Sequence, residues 1–177
     1  MTSCPKIRES LIDFFFLLVS MVIIVSFFNT FYPKHDAIKT CFTPGSLCTD
    51  KLMSKINKEQ KAIFVQAYSF TSVPIINALL HAKQRGVDVI IILDKGQKNN
   101  KQLRTLIQAG IPICIDNKVR IAHNKIMIFS DNVETGSFNY SKSAQYNNAE
   151  NMVFLPLQVR KEFLDNWNKR FLLCDGI

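Results

Sequence analysis

The sequence predicts an α/β domain: a mixed, mostly parallel β-sheet flanked by helices, with one hydrophobic helix ahead of it. Three observations carry this. Strand-like and helix-like segments alternate along residues 38–177. The run VDVIIILD, 87–94, is apolar almost throughout, as strands buried on both faces are. At the other end of the chain, residues 14–28, FFFLLVSMVIIVSFF, carry no charge.

That N-terminal run follows Leu11, Ile12 and Asp13, with Lys6 and Arg8 before it. Its length lies between the core of an export signal and a full membrane span. Bulky Phe27, Phe28, Phe31 and Tyr32 occupy its exit, and only Ser26 is placed as the small residue of a cleavage site. Residues 1–30 therefore read as an uncleaved transmembrane anchor, a cleaved signal peptide or a buried core helix. The first two put the rest of the chain outside the cytoplasm, held at the membrane facing the periplasm or exterior, or secreted. Residues 31–37 read as a linker, and 38–177 as one domain.

Within the domain a short strand at 38–43 precedes a helix at 47–58, opened by Pro44, Gly45 and Ser46. AIFVQAYSF, 62–70, is a β-favouring apolar run. The helix expected at 72–84 carries Ile75, Ile76, Leu79 and Leu80 on one face and stops at Gly86. After the strand at 87–94, a helix at 100–109 ends at Gly110, and IPICID makes the next strand. This order suits right-handed βαβ crossovers. Residues 121–137 switch to a strand pair. A short helix near 140–146, the strand ENMVFLP and an amphipathic helix at 157–173 complete the domain.

Lys and Arg number 22 against 14 Asp and Glu, a formal net charge of +8. A polyanionic partner, nucleic acid or an anionic membrane surface, fits that excess, although many basic proteins bind neither. The five cysteines form no CxxC pair and no Cys/His cluster with zinc spacing, so neither a metal nor another cofactor is expected. Cys41 and Cys48 flank a TPGS turn; a disulfide and two separate thiols are both compatible with that spacing.

The chemistry concentrates in HNKIMIFSDNVETGSFN, 123–139. As a strand, IAHNKIMIF puts His123 and Lys125 on one face and Asn124 and Ile126 on the other. A polar pair on an apolar strand must be paired, solvated or functional, and a lone histidine there is more often a satisfied core residue. Here TGSFN follows one tight turn later and can return Ser137 and Asn139 beside the pair. A histidine, a lysine, a hydroxyl and a carboxamide in one patch suit a phosphodiester. The cation and neutral donors hold the non-bridging oxygens while an imidazole attacks phosphorus or moves a proton. Lys95, Lys98, Lys101 and Arg104 follow the strand at 87–94, at the end where open α/β sheets place ligands. They read either as a track for a phosphate backbone or as a solvated loop and helix start.

His123-x-Lys125 followed by Gly136-Ser137-x-Asn139 resembles the HxK…GSxN signature of the phospholipase D superfamily. QAYSFTS (66–72), AKQRGVDVIIILDK (82–95), TGSFNYSKSA (135–144) and NNAEN (147–151) are similar to its small single-motif, Nuc-like endonuclease branch. The resemblance implies a phospholipase D/nuclease-like sandwich and a two-step phosphodiester hydrolysis without metal. One histidine forms a phosphohistidine, and a second protonates the leaving oxygen and then activates water. A chain with one motif implies a homodimer in which His123 of both copies meets at a two-fold axis. Lys125, Ser137 and Asn139 would hold phosphoryl oxygens, and Glu150 would accept the second N–H of His123. The Lys125-to-Gly136 interval is one residue shorter than the family spacing. Ser130 thus falls in the register of the family aspartate, and Asp131, one later, takes its role only by a slip. The leading expectation is a sequence-nonspecific endonuclease acting on DNA or RNA. A phospholipase D cleaving phospholipid headgroups is the alternative, and a catalytically degenerate binding protein of the same fold the third.

Overall fold

The computed structural model describes residues 5–31 and 38–176. The chain divides into two compact units, Met1–Asp36 and Ala37–Ile177. In the first, α1 (Pro5–Phe31) contains the apolar run of 14–28. Among the described residues no helix is long and apolar enough to cross a membrane. The expected linker lies outside the described residues from position 32 onward.

The second unit runs β1 (Lys39–Phe42), α2 (Leu47–Lys58), β2 (Ala62–Ala67), α3 (Val73–Gln84) and β3 (Asp88–Asp94). It continues with α4 (Gln102–Gln108), β4 (Ile113–Asp116), β5 (Lys125–Ile128) and β6 (Asn132–Gly136). Last come α5 (Lys142–Tyr146), β7 (Asn151–Pro156), α6 (Arg160–Phe171) and β8 (Asp175–Gly176). The strands form one sheet in the order β1-β7-β6-β5-β2-β3-β4-β8.

A mixed sheet flanked by helices is what the sequence predicts, but its parallel majority is corrected. Among the strands of the described residues only β2–β3 and β3–β4 pair in parallel; the other five pairings are antiparallel. Parallel neighbours need a crossover, and α3 and α4 supply the two present. Beyond them the chain turns back on itself, as in the β5–β6 hairpin, and direction reverses at each pairing. Two strands are also shorter than expected. β2 ends at Ala67, three residues early, and β5 begins only at Lys125, so His123 precedes the ladder.

Alternation along the central strands divides the core between the two faces of the sheet. Val89, Ile91 and Leu93 of β3 join the cluster beneath α2, α3 and α4. Ile90 and Ile92 meet Phe163, Leu164, Trp167 and Phe171 of α6 on the other face. Trp167 stacks on Phe171 and donates its indole N–H to the Val65 carbonyl at 3.0 Å, so a buried donor is satisfied. Asp116, fully buried at the end of β4, is held by the Arg170 guanidinium in a two-pronged ion pair that docks α6 against the sheet edge.

Cys41 and Cys48 form a disulfide, and so do Cys114 and Cys174, a pairing that brings β4 together with the segment after α6. Their sequence separations, 7 and 60, give them unequal weight. In the chain-entropy account Cys174→Ser lowers stability by about 4 kcal/mol and Cys48→Ser by about 2–3 kcal/mol. Urea unfolding without reductant should show that order. Equal losses would mean that native-state contacts, not loop length, set the effect.

Candidate active site

The antiparallel ladder pairs Lys125 with Ala67, so the start of β5 lies beside the end of β2. β6 runs back to the same sheet end and β7 starts from it, because Gly136 pairs with Met152. Four chain segments therefore converge there, and three of them, at the start of β5, the end of β6 and the start of β7, line an open cleft of about 410 Å3. Its lining is His123, Asn124, Lys125, Thr135, Gly136, Ser137, Asn139 and Glu150. The structure thus brings together five of the residues singled out from the sequence: His123, Lys125, Ser137, Asn139 and Glu150.

Gly136 makes the close approach possible. Its φ is +152°, and a Cβ there would lie 2.3 Å from the Asn151 carbonyl oxygen. Without that side chain, the backbone N–H groups of Ser137 and Phe138 both reach the Asn151 carbonyl at 3.1 Å. The Ser137 hydroxyl accepts from the Asn151 N–H at 3.0 Å, which leaves its own proton to donate elsewhere. Asn139 keeps a buried side-chain oxygen with no hydrogen-bond partner among the described residues.

Lys125 is only 4% exposed although its ammonium faces the cleft. Nζ donates to the His123 carbonyl at 2.7 Å and lies 5.1 Å from the centre of the Tyr68 ring. Burial pulls its pKa below the usual lysine value, and the charge of Glu150 partly opposes that. His123 is exposed, and its ring packs on Tyr68 at 4.5 Å between centroids. Within this chain the hydrogen bond expected between His123 and Glu150 is not formed. Glu150 accepts from the Asn148 side chain at 2.9 Å, and its backbone N–H and carbonyl are both held by Thr43. Thr43 lies in the loop closed by the Cys41–Cys48 bridge.

Asp131 is the sequence candidate that the structure does not bring to the cleft. It sits in the β5–β6 turn, at the far end of the hairpin, in an exposed ion pair with Lys55. Ser130, in the register of the family aspartate, donates its backbone N–H and hydroxyl to the buried Glu59 carboxylate at 2.8 and 2.9 Å. Burial pushes the Glu59 pKa up, but four hydrogen bonds from Ser130, Lys61 and Gln60 carry it below the usual value. The shortened turn is thus anchored by a carboxylate from the end of α2, and the missing residue leaves the cleft intact.

Lys95, Lys98, Lys101 and Arg104 are exposed and do not line the cleft, yet they follow β3 at the same sheet end. Asp94, buried at the end of β3, accepts from Gly96 and Ala122 N–H groups at 2.8 Å each. One carboxylate therefore ties the start of the basic segment to the backbone beside His123. Tyr68, Asp94, Thr135 and Asn151 are the structural partners that sequence reasoning passed over. All four lie inside the stretches that resemble the family, the one signal that could have found them; the strand pairings of β2, β3, β5, β6 and β7 set them around the cleft.

Residues 52–172 match the family described as cardiolipin synthase, PLD-like domain. This chain belongs to that phospholipase D-like family and is a phosphodiesterase. A phospholipase D of Rickettsia conorii is 36% identical over 150 residues, covering 82% of this chain and 75% of the relative. The Rickettsia typhi phospholipase D is 39% identical over 137 residues, covering 75% and 67%. Among solved structures, Nuc from Salmonella typhimurium, a phospholipase D family member, is 32% identical with a TM-score of 0.74, covering 80% of this chain and 97% of Nuc. NucT from Helicobacter pylori shares the fold, with a TM-score of 0.72 at 24% identity, covering 80% and 100%.

Glu134 sits in β6 between these groups and the core. It is fully buried and accepts the Tyr140 hydroxyl at 2.6 Å, so one side-chain contact spans the Gly136–Asn139 turn. Burial, slightly offset by that hydrogen bond, raises its pKa from the usual 4.5 to about 8. Folded protein therefore keeps a proton that unfolded chain releases above the usual value, and stability falls as pH rises across that window. Glu134→Gln, isosteric and uncharged, should flatten this part of the stability curve, with its gain over wild type largest above pH 8. Parallel thermal-unfolding curves from pH 5 to 9 in the two proteins would disprove the assignment.

Proposed function

We propose that this protein is an exported, metal-independent endonuclease with little sequence preference, working at a site shared by two copies of the chain. The observation that carries the reading is the cleft itself. It gathers an accessible imidazole, a buried ammonium, a hydroxyl, a carboxamide and a carboxylate within one open pocket. A phosphodiester is the ligand class those groups suit, and the 32% identity to Nuc favours nucleic acid. Lys95, Lys98, Lys101 and Arg104 at the same sheet end support contacts to a phosphate backbone beyond the scissile bond. The two disulfides favour an oxidising compartment, and with the apolar N-terminal run they support export.

In the proposed reaction an imidazole nitrogen of one His123 attacks phosphorus. The P–N bond forms as the P–O bond to the leaving group breaks, and His123 of the second copy protonates that oxygen. The second histidine then takes a proton from water, whose oxygen bonds to phosphorus as the P–N bond breaks and the first histidine is released. The two Lys125 ammonium groups stabilise the charge that grows on the phosphoryl oxygens. Two features support a shared site. The Asn139 oxygen, unpaired among the described residues, is an acceptor that a donor from a second chain would complete. Exposed Phe42, Leu47, Tyr146 and Ile121 also lie in segments around the cleft, apolar surface that a second copy would cover. That apolar surface and the Rickettsia relatives favour a second reading, hydrolysis of phospholipid headgroups.

The full chain in detergent and EDTA is offered plasmid DNA, RNA and phospholipid, with His123→Ala alongside. Nucleic-acid cleavage should persist in EDTA and fall at least about 10³-fold in the variant. Cleavage of lipid alone would transfer the assignment to the second reading, and binding without turnover would leave a degenerate binding protein. Refolding wild type with equal His123→Ala tests the shared site. Activity should drop to about one quarter, since only wild-type pairs hold both histidines. A drop to one half, or an active monomer by light scattering, would exclude it.

A further inference from the structure

We infer that Tyr68 is a positioning residue for the reaction, one aromatic ring that holds both His123 and Lys125 in working geometry. The inference deepens the proposed phosphodiester chemistry and rests on it. His123 lies in the irregular segment before β5, so no strand ladder orients it. Its neighbourhood is restrained at the backbone, through the Ala122 N–H on Asp94 and the His123 carbonyl under the Lys125 ammonium. Neither restraint reaches the imidazole. Among the described residues the ring has no hydrogen bond, and its one ring contact is Tyr68, 4.5 Å away between centroids.

The same Tyr68 ring lies 5.1 Å from Lys125 Nζ, within the range of a cation–π contact. A half-buried aromatic has few rotamers and little to lose on ordering, which suits it to hold two flexible side chains. Its negatively polarised face also tolerates the cationic forms that both groups pass through: ammonium throughout, and imidazolium or phosphoimidazole during turnover. The tyrosine hydroxyl has no hydrogen-bond partner among the described residues, so the ring rather than the hydroxyl does the holding. That distinction makes phenylalanine the informative replacement.

The test uses the full chain and bis(p-nitrophenyl) phosphate, a diester that carries neither bases nor acyl chains. Tyr68→Phe should stay within about threefold of wild type. Tyr68→Leu should lower kcat about 10- to 100-fold at nearly unchanged KM, the loss expected when a reactive group is misaligned but the pocket remains. Histidine-selective NMR gives a second readout that needs no substrate. The chain has three histidines, and the His123 signal is identified by its loss in His123→Ala. Ring-current shielding from Tyr68 should move that signal upfield in wild type and Tyr68→Phe, and the shift should vanish in Tyr68→Leu. Tyr68→Met serves in place of Leu if thermal unfolding shows Leu to be misfolded. Full activity and an unmoved His123 signal in Leu or Met would overturn the inference, as would a Phe variant as slow as Leu. An inactive wild type would instead overturn the phosphodiesterase reading, and the NMR comparison would still decide whether Tyr68 holds His123.

Discussion

β5 is held antiparallel between β2 and β6, and that ladder decides where the reactive groups meet. Pairing with Ala67 carries Lys125 to the end of β2, against the Tyr68 ring. Pairing with β6 returns Ser137 and Asn139 to the same end, and β7 then starts from it with Glu150 just ahead. A slip of one residue in either pairing would reverse the side chains and send Lys125 to the face beneath α6. The apolar residues on both faces of β5 resist such a slip. Met127 and Phe129 belong to one core, Ile126 and Ile128 to the other.

Around this ladder the buried polar groups form a frame. Asp94 ties the Gly96 backbone to that of Ala122 beside His123, Thr135 donates to the Lys125 carbonyl, and Glu134 braces Tyr140 across the turn. Asp94 and Thr135 are satisfied by hydrogen bonds, while Glu134 holds Tyr140 through one oxygen and is kept neutral by burial, because a bare charge there costs more than the fold can offset. The cleft differs from its frame. Lys125 keeps a buried ammonium, Asn139 an unpaired oxygen and His123 an imidazole without a hydrogen bond. A buried ammonium beside an accessible imidazole suits an anionic ligand, and the Asn139 acceptor suits a donor from a second chain.

Much of the fold was legible because it rests on local signals. Apolar periodicity and turn residues located the helices and strands of the domain, and the Gly-Ser-x-Asn turn located the cleft with its histidine and lysine. Strand direction was less legible, since an apolar strand reads the same whichever way its neighbour runs. The Cys114–Cys174 bridge and the brief β8 depend on how α6 docks, through contacts such as Arg170 on Asp116. Asp131 illustrates a different limit. A one-residue slip from the motif register made it a candidate, yet it occupies the opposite end of the hairpin, where Ser130 and Glu59 accommodate the shortened turn.

The sequence by itself determined which chemical groups the chain offers as candidates for phosphodiester chemistry and the strand-and-turn context that carries them, because residue type and short-range spacing encode both. Only the tertiary structure decided that Tyr68 touches His123 and Lys125, that Asp94 ties the basic segment to the histidine, and that Asp131 stands apart. Those outcomes follow from strand pairing between segments far apart in the chain. Pairing depends on the sum of two cores packed against one sheet, a property no local stretch of residues contains.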